Sequence, residues 1–158
     1  MNYKDLINEV PNFPIQGVSF KDVSPLLKAP QFPYIIKEMK ALTKQPDYWV
    51  GIDARGFIFA SALSMINGGL IMCRKKGKLP PPVVSETYSL EYGEDTLEIQ
   101  PGTGTVVIVD DVYATGGTMN TVEQLCIKAG YTVIDKLVLI DLQFLHEPTN
   151  VKSLIAYE

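Results

Sequence analysis

Two adjacent carboxylates beside hydroxyls and paired glycines give this chain its clearest chemistry: Asp110 and Asp111 closely precede Ala114-Thr115-Gly116-Gly117-Thr118. Glycines let backbone approach a ligand closely, so the amides and hydroxyls of Thr115 to Thr118 can wrap a phosphate. The carboxylates would repel that phosphate if they touched it. They make sense facing neutral hydroxyls or a cation, so the expected ligand carries a phosphate and a diol, as a ribose 5-phosphate does. A second set, Asp53-Ala54-Arg55-Gly56-Phe57, offers an arginine fork that matches phosphate oxygens in pairs. Taken alone, Arg55 reads equally as an exposed side chain paired with Asp53. A third set, Arg74-Lys75-Lys76-Gly77-Lys78, is not a Walker A loop, because the earlier glycine and the following Ser/Thr are missing. It reads as a solvated basic face, or as positive charge brought near a highly charged anion.

Both loops sit where a fold can use them. Val106 to Val109 is a β-branched run suited to a strand buried on both faces, ending at the two aspartates. After the glycines, Met119, Val122, Leu125, Cys126 and Ala129 recur like one face of a helix. Tyr48 to Ile52 is a second buried strand, and its loop leads into a helical segment through Leu63. A helix opened by such a loop presents free N–H groups to an anion, beyond the carboxyl end of a strand. Further strands are expected at Leu70 to Arg74, Thr132 to Leu142 and, as an edge, Leu154 to Tyr157. Val83 to Ile99 alternates loosely and breaks at Gly93, the signal of a two-stranded ribbon and so of a mobile lid. Residues 1–10 are read as a short helix, 11–17 as irregular, and Gln31 to Lys44 as an amphipathic helix ended by Pro46. His146 is read as a surface histidine without a role.

The 158 residues suit one domain, with charged residues at 20% and hydrophobic ones at 46%, a globular balance. Net charge is −4 and pI about 5.0, which gives nucleic acid or an anionic membrane no electrostatic hold. No stretch has the length of a membrane span, and MNYKDLINEV lacks the apolar core of a secretory leader. Cys73 and Cys126 are placed in a strand and on a helix face, as buried reduced thiols of a cytoplasmic protein.

The thirteen residues VVIVDDVYATGGT closely resemble the phosphoribosyl pyrophosphate signature of the type I phosphoribosyltransferases. GIDARGF resembles that family's pyrophosphate loop, where the peptide after the aspartate is commonly cis. FPIQGVSFKDVSPLL, RKKGKLP and ETYSLEYG are similar to adenine phosphoribosyltransferases, so that the likeness covers most of the chain. The resemblance implies an α/β fold: a twisted, mainly parallel sheet with helices on both faces, an N-terminal hood at 1–30 and a flexible β-flap at 75–100. It implies transfer of adenine onto phosphoribosyl pyrophosphate to give AMP and pyrophosphate, with Mg²⁺ held mainly by substrate and reached by Asp110 and Asp111 through water. Ala114 to Thr118 would anchor the 5′-phosphate, Asp110 and Asp111 the ribose, and Asp53, Ala54, Arg55, Lys75 and Lys78 the pyrophosphate. Adenine would lie against Ser19, Phe20, Lys21 and Val112, with Phe20 stacking.

On sequence alone Phe20 is a core aromatic and Glu91 an exposed hairpin residue. The resemblance instead puts Glu91 at the purine imidazole ring and closes Tyr92 over the sugar, making Glu91, Arg55 and Tyr92 the catalytic set. Lys21 departs from the family's usual arginine, and the connection Gln100 to Gly104 is shorter than usual. A homodimer follows from the family. Two rivals share the phosphate loops: a transferase for hypoxanthine, guanine or xanthine, and a non-catalytic sensor of phosphoribosyl pyrophosphate. Hood and flap sequences speak against the first, and the lack of extra length and of net positive charge against the second.

Overall fold

The computed structural model describes residues 2–90 and 92–158, so the expectation for Glu91 lies outside the described residues. The chain divides into two compact units, Met1–Lys37 and Glu38–Glu158.

In the first unit a 3₁₀ turn, Tyr3–Leu6, is followed by β1 (Asn8–Pro11) and β2 (Ser19–Asp22), an antiparallel pair with Val10 opposite Phe20. The helix expected over residues 1–10 is thus corrected to one turn and a strand. So short a helix is marginal in water, and the chain from Asn8 finds an extended partner instead. The link between the strands is irregular as expected: Asn12 Oδ1 accepts from Gly17 N at 2.9 Å. Asp22 accepts from Ser24 N and Oγ, leading into α1 (Ser24–Lys28) with Pro25 in its first turn. The next helix, α2 (Phe32–Ala41), is shorter than the sequence suggested. Ile35, Ile36 and Met39 form its buried stripe, while Leu42 falls beyond the helix and is exposed.

The second unit runs β3 (Tyr48–Ile52), α3 (Gly56–Ser64), β4 (Gly69–Lys75), β5 (Val84–Leu90), β6 (Gly93–Ile99), β7 (Gly104–Tyr113), α4 (Gly117–Ala129), β8 (Tyr131–Leu142) and β9 (Lys152–Tyr157). They build one seven-stranded sheet in the order β5-β6-β4-β3-β7-β8-β9, with β4, β3, β7, β8 and β9 parallel. Side chains alternate along β3. Val50 and Ile52 join the core beneath α4, whereas Gly51 lies against Ala60 and Phe57 of α3. Helices therefore cover both faces of the sheet. Met119, Val122, Leu125, Cys126 and Ala129 are all buried, as the helical spacing required.

Two expectations change. The central strand does not stop before the aspartates but carries them, ending at Tyr113. Nor is the flap an isolated ribbon: β6 pairs antiparallel with β4 through Arg74–Glu98 and Lys75–Leu97, and this pairing makes its base part of the sheet.

Candidate active site

The chain leaves β3 through α3 to β4 on one side, then returns to lay β7 on the other side of β3. The order reverses between β3 and β7, and ligands of open α/β sheets bind beyond the carboxyl ends of strands at such a point. Both anion loops leave from those two strand ends.

After Tyr113 the chain turns through Gly116, at φ +93°, into α4, whose first turn has no side-chain cap. Its leading amides lack helical acceptors and remain available. They face a cavity of about 100 Å³ lined by Ala114 to Thr118 together with Asp110, Val112, Tyr113 and Met119. A neighbouring cavity of about 200 Å³ shares Asp110 and Thr118 with the first and adds Asp53, Ala54, Arg55, Lys75 and Asp111. The Asp53–Ala54 peptide is cis. Arg55 does not pair with Asp53. Its Nε lies 2.7 Å from Asp111 Oδ2, so the arginine of one loop is tied to the carboxylate of the other. Asp53 faces Arg74 Nε at 3.5 Å and accepts from Lys75 N at 3.4 Å.

Burial, and next the neighbouring Asp111 charge, push Asp110 up to about 8 from 3.8. Among the described residues no three carboxylate, histidine or cysteine side chains gather closely enough to hold a metal ion.

Of the other expected residues, Lys75 lines the second cavity, whereas Lys78 is exposed in the turn and does not. Tyr92 is exposed beside the hairpin turn. Val112 lines the phosphate-loop cavity. Ser19, Phe20 and Lys21 lie on β2, in the first unit. There Phe20 meets Phe13 edge-on at 5.2 Å, and both line a cavity of about 300 Å³ with Val10 and Asp22. The Lys21 ammonium pairs with Glu9 at 2.9 Å, so its charge is already engaged.

The sequence did not point to Tyr88 and Asp95, which face each other across the hairpin and line the second cavity. Asp95 reaches Lys75 Nζ at 3.6 Å. Cross-strand register from a turn between Leu90 and Gly93 was the available signal. Buried Glu98 was also missed. It accepts from Gly77 N at 2.8 Å and from Ser85 Oγ at 2.9 Å, which hold its carboxyl below the usual range and tie the lysine turn to the hairpin base. Glu98→Ala is expected to loosen that turn and weaken inorganic pyrophosphate binding about tenfold, as misplaced binding groups do. Calorimetric titration with ribose 5-phosphate as the unaffected control checks this; equal weakening of both ligands would refute it.

His146 is not at the surface. Its side chain is 8% exposed, and Nε2 lies 2.5 Å from Asp141 Oδ1. The solvated reading fails because β8 ends with a carboxylate placed to receive the ring.

A sequence profile described as the phosphoribosyl transferase domain matches residues 34–147. The chain is 44% identical to an adenine phosphoribosyltransferase of Bdellovibrio bacteriovorus, over 99% of this chain and 100% of that protein. It is similar to the crystal structure of adenine phosphoribosyltransferase from Thermoanaerobacter pseudethanolicus, with TM-score 0.89 and 37% identity over 98% of this chain and 97% of that one. It is also similar to the Saccharomyces cerevisiae adenine phosphoribosyltransferase solved with an imino-altritol bisphosphate and adenine. There the TM-score is 0.82 and identity 33%, over 90% of this chain and 88% of that one.

Proposed function

The chain belongs to the phosphoribosyltransferase family and, within it, to the adenine phosphoribosyltransferases, and from that premise we propose that it joins adenine to 5-phosphoribosyl 1-pyrophosphate, giving AMP and pyrophosphate. It is a pentosyltransferase of purine salvage. The observation that carries this reading is the pair of anion loops at one switch point, tied by Arg55 and Asp111, with carboxylates between them for a diol.

The purine N9 attacks C1′ as the bond from C1′ to the pyrophosphate oxygen breaks, with inversion at C1′. Positive charge builds on the sugar ring and negative charge on the departing pyrophosphate. Arg55 and Lys75 meet the negative charge, with Asp53 and Ala54 shaping the pyrophosphate loop. Ala114 to Thr118 hold the 5′-phosphate and thereby fix C1′ relative to the base. Asp110 and Asp111 hold the ribose hydroxyls, so Arg55 must exchange its carboxylate partner for pyrophosphate as substrate enters. Phe20, with Ser19 and Lys21 beside it on β2, stacks on adenine. Glu91 accepts or shares the purine proton at N7 while N9 becomes nucleophilic, and Tyr92 closes over the sugar. Closure keeps water from the cationic sugar.

The residues fit Mg²⁺: it would be held mainly by substrate, with Asp110 and Asp111, which line the same cavity, placed to hold its waters, since Mg²⁺ keeps several waters and needs few protein carboxylates. When bound, the ion neutralises pyrophosphate charge. We read residues 1–158 as one catalytic domain with a hood at 1–30 and a flap at 75–100. A homodimer is supported by the apolar side chains exposed on α3 and β4, Ile58, Leu70 and Met72. No helix among the described residues is long and apolar enough to cross a membrane, and two buried free thiols suit a reducing cytoplasm.

The test is coupled detection of AMP from adenine and phosphoribosyl pyrophosphate with Mg²⁺, with hypoxanthine and guanine in parallel. Turnover selective for adenine is expected. In Glu91→Ala it should fall about tenfold or more, the worth of a hydrogen bond to a charged group, with the sugar donor still bound. An unimpaired variant would remove Glu91 from the mechanism. Binding of the sugar donor without turnover of any base would make this a sensor.

A further inference from the structure

His146 is held from two sides, and the reading above gives it nothing to do. Its Nε2 faces Asp141 Oδ1 at 2.5 Å and its Nδ1 faces the Glu147 carbonyl oxygen at 2.6 Å. A carboxylate and a carbonyl only accept, so both ring nitrogens must donate, and only the imidazolium has two protons to give. A neutral ring keeps one of these bonds and loses the other. The titratable groups facing the ring are Asp141 from β8, Glu147 from the loop beyond it, and Tyr113 from β7. The Glu147 carbonyl and then Asp141 raise the proton affinity of His146 above its ordinary value of 6.5.

The Tyr113 ring stands perpendicular to the imidazole, with centroids 4.7 Å apart. It is buried and lines the phosphate-loop cavity. Its hydroxyl lies close against Gly116, where an added Cβ would meet it at 2.5 Å. An unbroken line of contact thus runs from Asp141 through His146 and Tyr113 to the residue that turns the loop into α4.

We propose that Asp141 and His146 are positioning residues for the phosphate loop: the imidazolium fixes the Tyr113 ring, and the ring sets where Gly116 and the amides after it meet a 5′-phosphate. The inference rests on reading Ala114 to Thr118 as the 5′-phosphate site. Protonation of His146 and binding of the phosphate then favour each other, and such coupling is reciprocal.

His146 is the single histidine of the chain, so its imidazole C–H resonances are unambiguous in NMR. The experiment titrates them with pH in the free protein and in protein saturated with ribose 5-phosphate. A coupling of about fivefold would raise the midpoint in the complex by about 0.7 pH unit, with affinity falling by the same factor as pH rises through it. Tyr113→Leu should abolish the shift, since it breaks the line of contact but leaves the field of the phosphate. Coinciding midpoints in free and bound protein would overturn the inference, and so would a shift that survives in Tyr113→Leu. Thr118→Ala separates the two readings. If it leaves ribose 5-phosphate affinity unchanged, the loop assignment falls and this inference with it. If it weakens binding while the wild-type midpoints coincide, only the role of Asp141 and His146 is lost.

Discussion

Asp110→Asn is expected to raise the thermal midpoint near neutral pH by roughly 3–6 °C while lowering turnover roughly a hundredfold. Both effects have one origin. Asp110 is pushed up to about 8 from 3.8, first by burial and next by the charge of Asp111. The sign follows from linkage. Below about 3.8 the group is protonated whether the chain is folded or not, and it carries no penalty. Between 3.8 and about 8 the unfolded chain ionises and the folded one does not, so stability falls as pH rises, and it levels off above about 8. Asparagine keeps the shape of the protonated acid, can still accept from Asp111 N, which donates to Oδ1 at 2.9 Å, and does not titrate. The variant should therefore match the wild type near pH 4 and outlast it increasingly toward pH 8, by a few kcal/mol. Thermal denaturation across that range checks this, and parallel melting curves would refute it. Turnover falls because the amide, unlike Asp110, cannot ionise when the ribose hydroxyls and a substrate-held cation arrive and favour the carboxylate. Keeping a buried carboxylate beside another thus costs stability for the sake of the site, as functional groups often do.

Much of this arrangement was legible from the sequence because it is carried by local periodicity. The β-branched run of β7 and the spacing of Met119, Val122, Leu125 and Cys126 each have one burial solution, and the structure adopts it. Glycines and charges at the strand ends marked both loops for the same reason. What escaped depends on pairing across the chain. Residues 1–10 carry enough apolar spacing for a helix, but the strand pairing of Val10 with Phe20 decides the outcome, and no local signal announces it. Arg55 has a carboxylate two residues before it, yet its partner is Asp111, brought close only when β3 and β7 lie side by side. Asp95, Glu98 and His146 are likewise defined by what faces them, across a hairpin for the first two and from the end of β8 for the third. Local chemistry marked the two loops, and tertiary pairing decided which charges they share.

Gly116→Ala is expected to lower ribose 5-phosphate affinity roughly a hundredfold, because two obstacles act at one position. The residue sits at φ +93°, a left-handed conformation that costs a side chain roughly 1–2 kcal/mol. A Cβ there would also stand 2.5 Å from the Tyr113 hydroxyl and 3.0 Å from Cζ, closer than atoms approach. The loop must move, and with it the amides of Gly117 and Thr118 that line the cavity. At Gly117 an added Cβ meets nothing within 4 Å and the backbone is already helical, so Gly117→Ala should fold as well as the wild type. The two obstacles can be separated. Tyr113→Phe removes the hydroxyl and leaves the backbone strain in place, so the double variant Gly116→Ala/Tyr113→Phe should regain part of the affinity that Gly116→Ala loses. Calorimetric titration of all four proteins gives the coupling energy directly. Partial recovery would assign the difference to the hydroxyl contact. No recovery would mean that the left-handed turn alone holds the amides in place, and near-wild-type binding by Gly116→Ala would show that the loop does not need this turn to hold a phosphate.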